Sequence, residues 1–344
     1  MRRWVVILAG GVGSRFWPLS TASRPKQLLP LVTDTPLLAD TVRRTRALAG
    51  PERTLLLTGG GLVERVGRLL PEVPRENIIA EPRPVGTAAA LAWAAAEIER
   101  RNGADAVMLS VHADWAIGDE GGFRTALERA ADAAARYRSL VTVGVVPSRP
   151  DPGFGYIQPG EPVEDGVFRV ARFVEKPDRA SAERMRREGY LWNSGIFAWR
   201  VGDFLAELRA HTPEVAPALD AAAGDVARFF AAVRPIAVDV GVLERSDRVL
   251  VIPGSFGWDD VGTWAALRRV RARDAAGNAA SGRVHVVDAR NNVVHAEGNE
   301  VVLYGVSDLV VVTRDGLTLV TTVDRAADLK QLIESLPSAV RDRE

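Results

Sequence analysis

Leu8-Ala9-Gly10-Gly11-Val12-Gly13-Ser14-Arg15 follows directly on an apolar run at residues 4–9. A strand that ends in glycines enters a loop able to take positive φ and to bring backbone N–H groups close to phosphate oxygens. The loop lacks the Gly-Lys-Ser/Thr ending of a P-loop and the third glycine of the dinucleotide fingerprint, so neither motif applies. A phosphate cradle and a glycine turn that only packs strand on helix both remain open at this point. Outward from the loop the rhythm repeats: β-rich runs at 4–9, 54–58, 77–80, 106–111 and 140–146 alternate with helical patterns at 36–49, 62–70, 87–101 and 123–137. Each helical pattern is long enough to cross a sheet face, which predicts a doubly wound α/β sheet.

A Gly/Pro-rich stretch at 151–162, a strand at 168–174, a helix at 179–188 and a strand at 195–199 continue the same domain. Helical segments at 203–233, a strand at 248–252 and a helix beginning near Asp260 complete a first domain of residues 1–275. From about Ser281 the chain turns almost wholly β, with runs at 284–287, 293–296, 300–304, 309–313 and 317–321, so residues 281–336 read as a small second domain. Asp315-Gly316 between two apolar runs signals a hairpin, whereas the rungs of a β-solenoid would be spaced alike. The last helix, at 325–336, carries apolar positions at helical spacing and is expected to pack on that domain or on the partner of a homodimer.

Lys and Arg total 44 against 44 Asp and Glu, for a formal net charge of +0, so no global field draws the chain to nucleic acid or to anionic lipid. The absence of cysteine removes disulfides, thiolate catalysis and zinc–sulfur sites together. The opening apolar run is too short to span a membrane and is not followed by a cleavage-site pattern; a cytoplasmic protein is expected. Only Lys26, Lys176 and Lys330 are lysines. In so arginine-rich a chain, a lysine inside a motif asks for a reason to need its compact, rotatable ammonium.

Arg15 and Lys26 share one loop stiffened by Pro18, Pro25 and Pro30, an arrangement suited to a polyphosphate. Asp114 follows the run at 106–111, at the carboxyl end of a strand where open α/β sheets bind ligands; it could hold magnesium or cap the next helix. Phe173-Val174-Glu175-Lys176-Pro177 and Trp192-Asn193-Ser194-Gly195-Ile196-Phe197 bring a carboxylate, an ammonium and an amide to strand ends. Such groups bind sugar hydroxyls and an ester phosphate, while a surface ion pair and a turn residue are the plainer alternatives. Phe256-Gly257-Trp258-Asp259-Asp260-Val261-Gly262-Thr263-Trp264 sets two acids at a helix start. Capping accounts for one; the second needs a partner, for which a hard cation is a candidate.

In this order, and with Phe16-Trp17-Pro18-Leu19-Ser20 and Pro25-Lys26-Gln27, these motifs resemble the mannose-1-phosphate guanylyltransferases, sugar-nucleotide pyrophosphorylases of the nucleotidyltransferase family. The likeness runs from about Val5 to Trp264 and weakly beyond. It implies a Rossmann-like domain with a mixed sheet, a small C-terminal domain related to a left-handed β-helix, and magnesium-dependent transfer of GMP from GTP to mannose-1-phosphate. The chain ends too early for the sugar-isomerase domain of bifunctional members, so transferase activity alone is expected. Carried over by position, Leu8, Ala9, Gly10, Gly11 and Gly13 fall to the nucleotide, with Arg15 and Lys26 on its triphosphate. Asp114 and Asp260 become magnesium ligands. Glu81, Gly86, Thr87 and Ala88 fall at the base, where the Glu81 carboxylate could accept from guanine N1–H and the 2-amino group. Gly155, Glu175 and Asn193 fall to the sugar and Lys176 to its phosphate.

Two departures stand out. Trp115 follows Asp114 where relatives commonly carry histidine, with His112 before it, and Val85-Gly86 replaces a frequent Arg-Asn. Competing readings are a pyrophosphorylase for another pair such as glucose-1-phosphate with UTP, a non-catalytic sugar-nucleotide-binding paralogue, and a nicotinamide-dependent dehydrogenase, which the incomplete glycine fingerprint disfavours.

Overall fold

Residues Arg3–Ala9 form β1, whose last six residues are all buried. A strand apolar on both faces belongs inside a parallel sheet covered on both sides. The computed structural model of the protein describes residues 2–11 and 13–341, which divide by contact into two units.

The first unit comprises residues 1–10, 42–113 and 119–258. Its strands after β1 are β2 (Thr54–Gly59), β3 (Ile78–Glu81), β4 (Val107–His112), β5 (Leu140–Val145), β6 (Tyr156–Glu164), β7 (Val167–Val174), β8 (Leu191–Arg200) and β9 (Val249–Gly254). They make one sheet in the order β3-β2-β1-β4-β8-β5-β9-β7-β6. β3, β2, β1 and β4 run parallel, β8 lies antiparallel between β4 and β5, and β5 is parallel to β9. The expected doubly wound α/β sheet is therefore present, as a mixed sheet. One strand was missing from the sequence reading: β6 occupies the Gly/Pro-rich stretch. It lies at the end of the sheet order, carries Pro159 and Pro162, and slips register three times against β7, which is how prolines are tolerated in a sheet. Helix Thr87–Asn102 packs a face of small side chains, including Ala88, Ala92 and Ala95, into the core of this unit.

The second unit comprises residues 11–41, 114–118 and 259–344. Its sheet is built from β10 (Ala279–Val287), β11 (Val293–Tyr304), β12 (Leu309–Arg314) and β13 (Leu317–Thr322), in that order. β10, β11 and β12 are parallel although only short turns join them, which is solenoid geometry. Stacked asparagines support these turns: Asn292 Nδ2 donates to Asn278 Oδ1 at 2.9 Å, and Leu309 N–H donates to Asn292 Oδ1 at 2.9 Å. β12 and β13 are antiparallel, turning through Asp315 (φ 46°) and Gly316 (φ 75°) as a primed hairpin requires. The solenoid and hairpin readings both hold, one after the other. The runs at 293–296 and 300–304 form a single strand, and the helix expected near Asp260 begins only at Trp264.

The core of this second unit joins Phe16, Trp17 and Leu29 from the loop to Trp264, Val293, Val310 and Leu329. Leu332, Ile333 and Leu336 pack against the same cluster, so the final helix is accounted for within its own unit. Among the described residues no helix is long and apolar enough to cross a membrane.

Candidate active site

In the second unit the glycine loop is shaped around a lysine. Gly11 and Gly13 have φ of 85° and 68°, and a Cβ on Gly13 would stand 2.4 Å from the Cβ of Lys26. Only glycine fits there. Lys26 is 6% exposed; its Nζ donates to Asp114 Oδ2 at 3.0 Å and to the Asp260 carbonyl at 2.7 Å. An antiparallel bridge between Ala116 and Asp259 holds the two acidic segments side by side.

The two adjacent aspartates part ways. Asp259 is buried, accepts from Arg269 Nε at 2.8 Å and Nη2 at 3.1 Å, and accepts from Val261 N–H at 3.0 Å. The expectation that capping would occupy one acid is corrected: Thr263 precedes the helix, and Asp259 is fixed by an arginine ten residues on. The Asp260 carboxylate has no hydrogen-bond partner among the described residues. Burial pushes its pKa up, Asp259 and Asp114 push the same way, and Lys26 and Arg15 oppose them. A Cβ on Gly262 would lie 2.6 Å from Asp260 Oδ2 and 3.4 Å from Arg15 Nη1, so these two groups share one niche. Val261 beside them has φ 47°, a strained conformation for a β-branched residue. Arg15 is exposed, and no ion pair or hydrogen bond engages it among the described residues.

In the first unit Leu8 and Ala9 are buried in β1, and their carbonyls accept from Ala113 N–H at 3.0 Å and Thr58 Oγ1 at 3.2 Å. Gly10 beyond them is exposed. Glu81 ends β3 with its Oε1 3.9 Å from where a Cβ on Gly10 would stand. It has no hydrogen-bond partner among the described residues, and burial pushes its pKa up to about 7. Gly86 has φ 86°, and a Cβ there would meet Ile236 O at 2.2 Å. Thr87 Oγ1 accepts from Val238 N–H at 2.9 Å, and Ala88, fully buried, donates its N–H to Ile236 O at 3.3 Å. Ala88, expected at the base, thus has a packing place: it helps fasten the start of its helix to residues 236–238.

In the same unit Gly155, Glu175 and Asn193 come together. A Cβ on Gly155 would lie 2.8 Å from Glu175 Oε2 and 3.5 Å from Asn193 Cβ, and Asn193 N–H donates to Gly155 O at 2.8 Å. Asn193 sits at a slip in the β5–β8 register with Gly195 at φ 74°; such a bulge re-aims a side chain out of the regular alternation. Glu175 and Lys176 form the exposed ion pair that was the plainer alternative, at 2.9 Å, with Lys176 at φ 42°.

Sequence reading missed Asp239. It opens a π-helical turn, Asp239–Leu243, and its Oδ1 accepts from Asn193 Nδ2 at 2.7 Å. Burial pushes its pKa up; Asn193 and His112 oppose this and Glu175 adds to it. Glu244 is likewise pushed up by burial, with Asp239 and Glu175 adding. The one available signal was an acid directly after the apolar Ile236-Ala237-Val238, in a stretch left unassigned between helix and strand.

A family model described as nucleotidyl transferase matches residues 4–277. The chain belongs to the nucleotidyl transferase family. A second model, described as a MannoseP isomerase/GMP-like beta-helix domain, matches residues 282–336. The chain is 36% identical over 350 residues to mannose-1-phosphate guanylyltransferase of Escherichia coli, covering 96% of this chain and 73% of that protein. It is 36% identical over 351 residues to the alginate biosynthesis protein AlgA of Pseudomonas aeruginosa, covering 98% and 72%. The crystal structure of a mannose-1-phosphate geranyltransferase from Thermus thermophilus superposes with a TM-score of 0.90 at 36% identity, covering 97% of this chain and 99% of that one. The resemblance carried by the quoted motifs is borne out at the level of this family.

Proposed function

We propose that the protein transfers GMP from GTP to mannose-1-phosphate, giving GDP-mannose and pyrophosphate. The observation that carries this reading is the buried Lys26 ammonium held between the Asp114 carboxylate and the Asp260 backbone, beside an Asp260 carboxylate that has no hydrogen-bond partner among the described residues. A part-buried acid without a partner is costly, and such a cost is kept where a ligand completes the site. The names borne by the relatives supply the substrate pair.

The reaction forms a bond from a mannose-1-phosphate oxygen to the α-phosphorus of GTP and breaks the bond to the departing pyrophosphate. No general base is needed, because a phosphate monoester is already largely ionised near neutral pH, with a second pKa of about 6. Repulsion between two polyanions is the obstacle, so alignment and charge neutralisation are the chemistry required. Arg15 and Lys26 answer it with positive charge, together with the backbone of Gly10, Gly11 and Gly13. Glu81 reads the base, Gly155, Glu175 and Asn193 hold the sugar hydroxyls, and Lys176 meets the sugar phosphate.

The residues fit Mg2+. Among the described residues no cage of three or more His, Cys, Asp or Glu is present, and magnesium usually takes only one or two carboxylates, leaving its other positions to water and substrate phosphates. Asp114 and Asp260 would hold the ion, which when bound supplies charge neutralisation at the phosphates. In this reading residues 1–275 are the transferase domain and 281–336 a small β domain.

Pyrophosphorolysis of a panel of nucleoside diphosphate sugars tests the assignment. GDP-mannose should be cleaved to GTP with a kcat/KM at least about a hundredfold above UDP-glucose, dTDP-glucose or ADP-glucose. Preference for another of the four would keep the chemistry and overturn the substrate.

A further inference from the structure

Asp239, far along the chain from Asn193, touches that residue, which is assigned to a sugar hydroxyl. Its carboxylate accepts from Asn193 Nδ2 at 2.7 Å, while Asn193 Oδ1 has, among the described residues, only a long contact with Gly195 N–H at 3.4 Å. A side-chain amide can present either its oxygen or its nitrogen, and a carboxylate, which only accepts, permits one of the two. We propose that Asp239 is a positioning residue for sugar recognition: it fixes which end of the Asn193 amide meets a sugar hydroxyl. The inference rests on the assignment of Gly155, Glu175 and Asn193 to the sugar.

The surroundings agree. The Asn193 backbone is pinned independently, by its N–H to Gly155 O at 2.8 Å and by the bulge ending at Gly195, so the amide rotor is the freedom left for Asp239 to set. Asn193, His112 and Glu175 act on Asp239 from near strand ends of the same unit, and Asp239 and Glu244 repel one another. Burial disfavours the ionised form of Asp239, so a charge-free isostere should fold at least as well. Stability therefore gives no reason for an acid here.

The test is steady-state kinetics of the full-length chain and of its Asp239→Asn, Asn193→Ala and doubly substituted variants, with GTP, Mg2+ and either mannose-1-phosphate or its 2-epimer glucose-1-phosphate. Asp239→Asn should raise KM for mannose-1-phosphate about tenfold or more and narrow the discrimination between the epimers by a similar factor, with KM for GTP within about twofold of wild type. The double variant should be no worse than Asn193→Ala, since Asp239 acts through that amide. An unchanged sugar KM and epimer ratio in Asp239→Asn would overturn the proposal, as would effects that multiply in the double variant. A merely structural role would instead lower the melting temperature and move both KM values together, which also contradicts it. Asp239→Ser gives the same readout should the asparagine variant fold poorly. A wild-type chain that turned over neither sugar phosphate would overturn the sugar assignment first, and this inference with it.

Discussion

Lys26 shows what a single residue discloses. Its rarity as a lysine and its place in a glycine–proline loop marked it in the sequence, and the fold buries it between Asp114 and the Asp260 carbonyl. An arginine fork needs more room than an ammonium, and Gly13 already stands where a Cβ would collide with Lys26. Lys26→Arg should lower kcat by at least about a hundredfold while circular dichroism stays native; near-wild-type turnover would refute the role. Glu81 carries a second prediction. Its pKa is about 7 in the fold against an ordinary 4.5, so the unfolded chain ionises first, and stability falls as pH rises from 4.5 to about 7 and stays lower above. Glu81→Gln lacks that penalty, so its stability relative to wild type should increase between about pH 5 and pH 8 in urea titrations. Its KM for GTP should lose the decrease with rising pH expected if only the ionised carboxylate accepts from guanine. Asp259 and Asp260, by contrast, could not be told apart in the sequence, because what separates them is Arg269, a tertiary partner.

Elements were legible in proportion to how far local pattern decides them. β1 to β5 read correctly because each is a short apolar run bounded by turn residues. β6 did not, since its prolines and register slips lie where it pairs with β7 alone, and that pairing, rather than composition, makes it a strand. Asp239 escaped because a π-turn has no hydrophobic period and its partner Asn193 lies 46 residues away. The junction between β3 and helix Thr87–Asn102 carries a prediction of its own: Gly86 has φ 86° and ψ 164°, with Ile236 O 2.2 Å from any added Cβ. Gly86→Ala should destabilise the protein by more than about 2 kcal/mol in chemical denaturation, from forbidden backbone and clash together. A loss below about half a kcal/mol would mean that the helix start is not pinned to residues 236–238.

Across the second unit, the C-terminal strands do more than follow the loop that carries Arg15 and Lys26. Phe16 and Trp17, flanking Arg15, share a core with Trp264, Val293, Val310 and Leu329; Trp264 Nε1 donates to Trp17 O at 3.1 Å, and Arg24 pairs with Glu297 at 2.8 Å. Sequence reading found the β domain but not this dependence, because contacts between segments so far apart along the chain leave no local trace. Truncation after residue 275 should therefore expose residues 11–41 to limited proteolysis and abolish turnover; a truncated chain with an intact, protected loop would contradict this account.

Pyrophosphate release by the purified chain across four nucleoside triphosphates and three sugar-1-phosphates, with and without Mg2+, tests the transfer of GMP to mannose-1-phosphate. Fast release confined to GTP with mannose-1-phosphate and dependent on the metal is the predicted result. Release independent of any sugar phosphate, or none with any pair, would contradict it.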